Sequence, residues 1–484
     1  MAGEASGFTR ELNIWEAVGI SVALMAPSMA ANINPQGVIG SVGRAVPLTF
    51  ALATVGVLLV SYTFVRLTQK YHHSGSVYGF VGATLGARAG VVAGWGLLGT
   101  YVFYAVVTST AAGRFLTSFL DSLGIWNDPP QWAPFLFALL ALAGVYALTV
   151  SPVRRGTRLL LLVEATTVAL ILIVSVIVLA KLAGGSHGKH ITVTPFEVQP
   201  GTQTSALFLG VVFGFLSFAG FEAAATLGEE ARQPRRDIPR AILGTAIFGG
   251  LYFIFVTWVE VQGFGTDEAG RTAFAGSTSL LGDLGGQYVG AWVGDLISLG
   301  AAVSAFGCAL ACAVGASRLL FALGRDGVAP TALGRVREHN RTPATAAAVV
   351  VGAAAALVVI LGIAYRHDES PSYSVFANSG VIGTLILLVA YVLATLGAMR
   401  LLFFTAGSRT PRWEIAIPVL ALVVLGYTIY RNVAPYPSGE AAWNPAICAV
   451  WLLAAVALVL ARPAIARRAG ERLTADQGLA REPV

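Results

Sequence analysis

Three acids stand inside otherwise apolar runs of this 484-residue chain. Glu222 ends the stretch FGFLSFAGFE, behind Gly214 and Gly220; Glu164 is the one acid in RLLLLVEATTVALILIV; Glu260 lies near the end of the apolar run that follows Arg240. In a bilayer each acid costs about 2.5 to 3.5 kcal/mol on insertion scales, so a retained carboxylate should hold a cation, carry a proton or pair with a base. Glu222 fits a direct contact with a cationic ligand, or a helix-cap or gate role. Glu164 can load and release a proton, because burial disfavours the charged form, or pair permanently with Arg158. Glu260 either attracts cations or simply faces water.

Neutral groups extend this set. Tyr101 and Tyr104 share a helix face at three-residue spacing and offer a stacking wall with a hydroxyl, or ordinary packing. Ser304 can give an oxygen to a sodium ion or let helices approach closely. Cys308 and Cys312 lie four apart and Cys448 far from them, so neither a disulfide frame nor a zinc site follows. His72 and His73 are adjacent rather than at ligand spacing. GWGLLG, Gly94 to Gly99, matches a dinucleotide fingerprint by letters only, since no strand precedes it. No catalytic triad, metal set or cofactor loop emerges, so the expectation is a non-enzyme without cofactor.

The elements that position these residues are membrane helices. The chain is 56% hydrophobic and 12% charged, with mean hydropathy +0.73, too apolar for an ordinary soluble protein. Twelve apolar stretches are long enough to span roughly 30 Å of hydrocarbon. They fall at 14–36, 45–67, 87–118, 132–150, 158–183 and 205–228, then 240–263, 288–322, 343–365, 374–404, 412–431 and 444–462. The first has no small-residue cleavage site after a short core and reads as a retained helix rather than a signal peptide. Alternate loops carry 24 and 7 of the Lys and Arg residues, which places both termini in the cytoplasm. The net charge of +6 is thereby explained by topology rather than by nucleic acid. The mixed-charge run Glu229 to Ile242 is a solvated face or a gating hinge, and 463–484 is a cytoplasmic tail. Gly82, Gly86, Gly90 and Gly94, at spacing four, form a smooth stripe for close helix contact.

Two of the twelve stretches are interrupted. The first, NIWEAVGISVALMAPSMAANINP, contains Gly19, Ser21, Pro27 and Pro35; the sixth contains Gly214, Ser217 and Gly220. Broken helices five apart point to an inverted-repeat transporter whose site lies at the midplane, because unwound backbone at that depth is tolerated only where it lines a cavity or is buried in protein. A channel would call for a repeated polar lining instead.

LSFAGFEAAATLGEEARQPRRDIPRAI, Leu216 to Ile242, resembles the sixth-helix signature of amino acid-polyamine-organocation permeases. Ser74 to Tyr104, SGSVYGFVGATLGARAGVVAGWGLLGTYVFY, is similar to that family's small-Gly-x-x-Tyr segment leading into a Gly-Trp third helix. SRLLFALGRDGVAP, Ser317 to Pro330, with Thr342 and Pro343 beyond it, resembles the end of the family's eighth helix. The resemblance runs from about Arg10 to Arg409. It implies an all-α membrane protein with a leucine-transporter-like 5+5 inverted repeat, 14–183 and 205–404, and two further helices at 412–462. It also implies alternating-access transport of an amino acid or related small amine across a bacterial plasma membrane, by a monomer or homodimer. Ser21, Val22 and Ala23 fall where the family binds the substrate carboxylate, and Phe218 and Ala219, before Gly220, where carbonyls meet the ammonium. Glu164 falls where several proton-coupled relatives place a lysine beside a vacated sodium site, which favours protons, with sodium or exchange as alternatives. The family usually reads Gly-small-Gly-Ile where this chain has Ile20 to Ala23, which opens the choice to a substrate other than a standard α-amino acid. A non-transporting sensor of the same fold is the rival reading.

Overall fold

A computed structural model describes residues 13–71, 76–151, 155–227, 231–336, 342–405 and 410–464. His72, His73, Gly228–Glu230 and most of the tail lie outside these residues, as does the side chain of Arg158. The regular elements among the described residues are helical. In chain order the α-helices are α1 (Ile14–Met25), α2 (Pro27–Ile33), α3 (Gln36–Val42), α4 (Val46–Lys70), α5 (Ser76–Leu85), α6 (Ala87–Ser122), α7 (Ala133–Thr149), α8 (Arg155–Ala183) and α9 (Leu207–Phe218). They continue with α10 (Pro234–Phe264), α11 (Glu268–Gly276), α12 (Leu280–Tyr288), α13 (Ala291–Arg325), α14 (Ala344–Ala364), α15 (Pro371–Phe403), α16 (Ala416–Val433) and α17 (Trp443–Ala461). Among the described residues, eleven segments are long and apolar enough to cross a membrane. The fourth expected span is the shorter α7, 17 residues of mostly apolar side chains.

Both expected interruptions are present, and their causes are local. The first expected span is cut between α1 and α2 at Ala26, which adopts a left-handed conformation with φ 45°. Pro27 follows at the first position of α2, where its missing N–H and fixed φ suit a helix start but not a helix interior. Within the sixth span α9 ends at Phe218, Ala219 leaves the helical conformation, and Gly220 has φ +101°. A short 3-10 turn, Ala223–Leu227, continues it. Gly220 is needed on two counts: its φ suits glycine, and a Cβ there would lie 2.7 Å from Leu24 Cβ. The two breaks therefore touch.

The remaining helices wrap these breaks. α6 packs on α13 and α15, and α4 on α9 and α10, while α8 reaches α2, α10, α12 and α13. Arg66 on α4 pairs with Glu414 just before α16 at one end of the bundle. The glycine stripe is not one helix face. α5 ends at Leu85 and Gly86 turns the chain at φ +98°, so α5 and α6 form a hairpin in which a Cβ on Gly90 would meet Gly82 Cα at 2.8 Å. The glycines permit close contact, but between two helices joined by a turn.

Candidate functional site

The two breaks form one wall of a pocket, and α6, α13 and α15 supply the rest. Its lining includes Leu24, Met25, Met29, Tyr101, Tyr104, Ala219, Gly220, Glu222, Cys308 and Cys312. Its free volume of about 20 Å³ is room for a water, so an organic ligand requires the surrounding helices to move. Glu222 is 6% exposed. Its Oε2 has no hydrogen-bond partner among the described residues, and neither has Tyr391 Oη, which stands beside the carboxylate. Tyr104 Oη lies 3.0 Å from Thr384 Oγ1, while the Tyr101 ring faces Gly315, where a Cβ would come within 3.3 Å of it.

Five of the expected substrate residues thus share the wall: Tyr101, Tyr104, Ala219, Gly220 and Glu222. Ser21, Val22, Ala23 and Phe218 do not line it. The break falls at Met25 to Pro27, one helical turn beyond the stretch singled out in the sequence, and Gly19 and Ser21 lie within unbroken α1. Ser21 is fully buried, and its Oγ accepts from Ala224 N at 3.0 Å. It ties the first broken helix to the sixth. Phe218 packs edge-on against Phe253 of α10, with ring centroids 5.4 Å apart.

A polar cluster collects at the start of α2, beside the pocket. Glu164, on α8 and 4% exposed, accepts from Ser28 N at 2.9 Å through Oε1. Ser304, on α13, accepts from Met29 N at 3.3 Å, and its hydroxyl stands beside the Glu164 carboxylate. Glu164 and Ser304 therefore accept from two successive backbone amides, one each. Tyr252 of α10 donates to Pro27 O at 3.4 Å, and Cys308 Sγ to Leu24 O at 3.0 Å. The left-handed turn exposes these carbonyls and amides, and side chains from α8, α10 and α13 satisfy them.

Asn32 was not singled out in the sequence, yet it joins α2 to the segment that carries α11 and α12. Its Oδ1 accepts from Ser279 Oγ at 2.9 Å, Leu281 N at 2.9 Å and Gly282 N at 3.2 Å, while its Nδ2 donates to Ser28 O at 2.8 Å. An asparagine inside an apolar helix was the available signal. The same segment is held from α6 by Arg114, which donates to Ser277 O at 3.1 Å. Asp283 on α12 accepts from Ser277 Oγ at 2.6 Å; burial pushes its carboxyl above the ordinary value, against the lowering effect of Ser277 and Arg114.

Glu260 departs from its expectation. It is fully buried, and neither carboxylate oxygen has a hydrogen-bond partner among the described residues. It neither faces water nor stands open to cations, and α11 and α12 pack against α10. The three cysteines are free and buried. Cys308 and Cys312 line the pocket because a four-residue spacing puts them on one face of α13.

Comparison with known proteins fits this arrangement. The low-affinity putrescine importer PlaP of Escherichia coli K12 is similar, 28% identical over 316 residues that cover 65% of this chain and 67% of that protein. The branched-chain amino acid permease BcaP of Bacillus subtilis is 25% identical over 361 residues, 71% of this chain and 72% of the relative. An uncharacterized transporter of Mycobacterium tuberculosis, Rv1999c, is 27% identical over 417 residues, 86% and 84% of the two chains. The amino acid permease family matches residues 28–470. With helix breaks, pocket and matched length in agreement, the chain belongs to the amino acid permease family of the amino acid-polyamine-organocation superfamily.

Proposed function

We propose that this protein is a secondary active transporter that moves an amino acid or related small amine by alternating access. In this reading it has twelve spans, the first ten forming a 5+5 inverted repeat, and both termini lie in the cytoplasm of a bacterial cell. The observation that carries the reading is the meeting of two helix breaks, at Ala26 and Gly220, over a pocket walled by Tyr101, Tyr104 and Glu222. Broken helices allow half-helices to tilt separately, and a pocket at their junction can then open to either side in turn. The named relatives, a putrescine importer and a branched-chain amino acid permease, bracket the substrate chemistry.

Proton coupling is assigned to Glu164. As a carboxylate it accepts from Ser28 N at the start of α2; once protonated it holds that amide less strongly, so loading a proton loosens one half-helix from α8 and α13. Ser304 steadies the same carboxylate. The test is uptake by purified protein in liposomes. Accumulation of an amino acid or amine under an inward proton gradient, without ATP, is the expected result. A broad panel that fails to move under proton gradients, sodium gradients or counterflow refutes transport.

A further inference from the structure

The pocket treats the two ends of an amino acid unequally. Backbone N–H groups freed at a helix break are the natural seat for a carboxylate, and here they already have partners. At the first break Ala26 N donates to Val22 O, Pro27 has no N–H, Ser28 N donates to Glu164, Met29 N to Ser304 Oγ and Ala30 N to Ala26 O. At the second, Ala219 N donates to Leu216 O, Phe221 N to Phe218 O, Ala223 N to Gly220 O, Ala224 N to Ser21 Oγ and Ala225 N to Glu222 O. The N–H groups of Gly220 and Glu222 lie beside the Glu222 carboxylate.

The side chains add to the asymmetry. Among the described residues no lysine, arginine or histidine lines the pocket, and its one acid, Glu222, keeps a buried oxygen without a hydrogen-bond partner, with the Tyr391 hydroxyl beside the carboxylate. The rest of the wall is chiefly apolar and includes Leu97, Leu216 and Leu387. A carboxylate entering this space is stripped of water, meets no cationic side chain among the lining residues and only tyrosine hydroxyls as donors, and faces the Glu222 carboxyl group. An ammonium supplies the charge that compensates Glu222.

We propose that the ligand of this pocket is an organic amine without a carboxylate: Glu222 holds its ammonium, the leucines hold its body, and Glu164 occupies the amide seat that a substrate carboxylate would need. This rests on the transporter reading and narrows its substrate class. The chain carries its own carboxylate at that seat, on α8, in place of one brought by the substrate.

The test uses the wild-type protein in liposomes with pairs that differ only by a carboxylate: tyramine with tyrosine, isopentylamine with leucine, and cadaverine with lysine. The amine of at least one pair is expected to be carried, and to be preferred over its amino acid by about tenfold or more, measured by transport and by competition. Amino acids carried as well as or better than their amines overturn the inference while leaving transport standing. If neither member of any pair binds or moves, the transporter reading falls and the inference with it. Two variants locate the cause by ligand-induced thermal stabilisation. Glu222→Gln should weaken amine binding about tenfold. Glu164→Ala, which frees the Ser28 amide, should shift the amine-to-amino-acid preference toward the amino acid; an unchanged preference removes Glu164 from this role.

Discussion

Replacing Asn32 by alanine removes the cap of a helix that belongs to a different part of the chain. The first amides of any helix lack intrahelical partners, and in α12 the N-cap residue Ser279 makes no side-chain cap of its own. Asn32 Oδ1 fills that place from α2 by accepting from Leu281 N and Gly282 N, with Ser279 Oγ as a third donor. The side chain and its partners are buried. Asn32→Ala orphans two backbone donors, and at about 1 to 3 kcal/mol for each buried unsatisfied group the cost is about 2 kcal/mol at the lower bound. That corresponds to roughly a thirtyfold rise in local opening, at 1.4 kcal/mol per factor of ten. The assay is amide hydrogen exchange of peptides covering Ser277 to Leu284 in purified protein. Exchange should accelerate by about that factor in Asn32→Ala. Asn32→Asp, which keeps the acceptors and adds a favourable charge at a helix N-terminus, should preserve most of the protection. Unchanged exchange in the alanine variant would show that α12 is held by its other contacts and refute the remote cap.

Glu164→Gln keeps the shape of the acid but cannot carry a proton, so gradient-driven accumulation and its pH dependence should vanish while ligand-induced thermal stabilisation persists; full proton-driven accumulation in this variant rules Glu164 out as the coupling group. Gly220→Ala places a Cβ 2.7 Å from Leu24 Cβ at φ +101°, a strain of about 1 to 3 kcal/mol at the junction of the two breaks, and should sharply reduce uptake; wild-type uptake at wild-type expression would show that the breaks can separate without cost. Because burial raises the Asp283 carboxyl above its usual 3.8, the folded protein holds that proton more tightly than the unfolded chain. Its contribution to α12 is therefore fully present below 3.8 and lost as pH rises through the raised value. Hydrogen exchange of the α12 peptide should quicken across that window in the wild type, and Asp283→Asn should remove this part of the pH dependence.

Much of the architecture was legible because bilayer chemistry is written into composition. Long apolar runs must be helices when no water is present to satisfy the backbone, and the expected spans correspond closely to the observed helices. The interruptions were visible too, since Pro27 and Gly220 are residues that a continuous helix excludes or a strained turn requires. Less legible was the residue at which each break falls. Ser21 falls at a position where the resembled family binds carboxylate, in a stretch that departs from the family's glycine pattern, yet it lies in regular α1 and bonds across to Ala224. The pocket begins one turn later, at Leu24 and Met25.

The sequence by itself determined the membrane class, the two weak points in the helical pattern and the presence of acids where acids are costly, because each depends on residue type and local spacing. Tertiary structure alone decided what those acids touch. Glu164 and Glu222 look alike in the sequence, yet one accepts from the backbone amide of Ser28 and the other keeps an unpartnered oxygen at the pocket. Glu260, expected to attract cations or to face water, is fully buried on α10, whose end packs against α11 and α12. The partners of Glu164 and Ser304 lie more than a hundred residues away, as in Ser28 with Glu164 and Met29 with Ser304. Local propensity carries no information about such pairs, because what brings them together is the packing of whole helices.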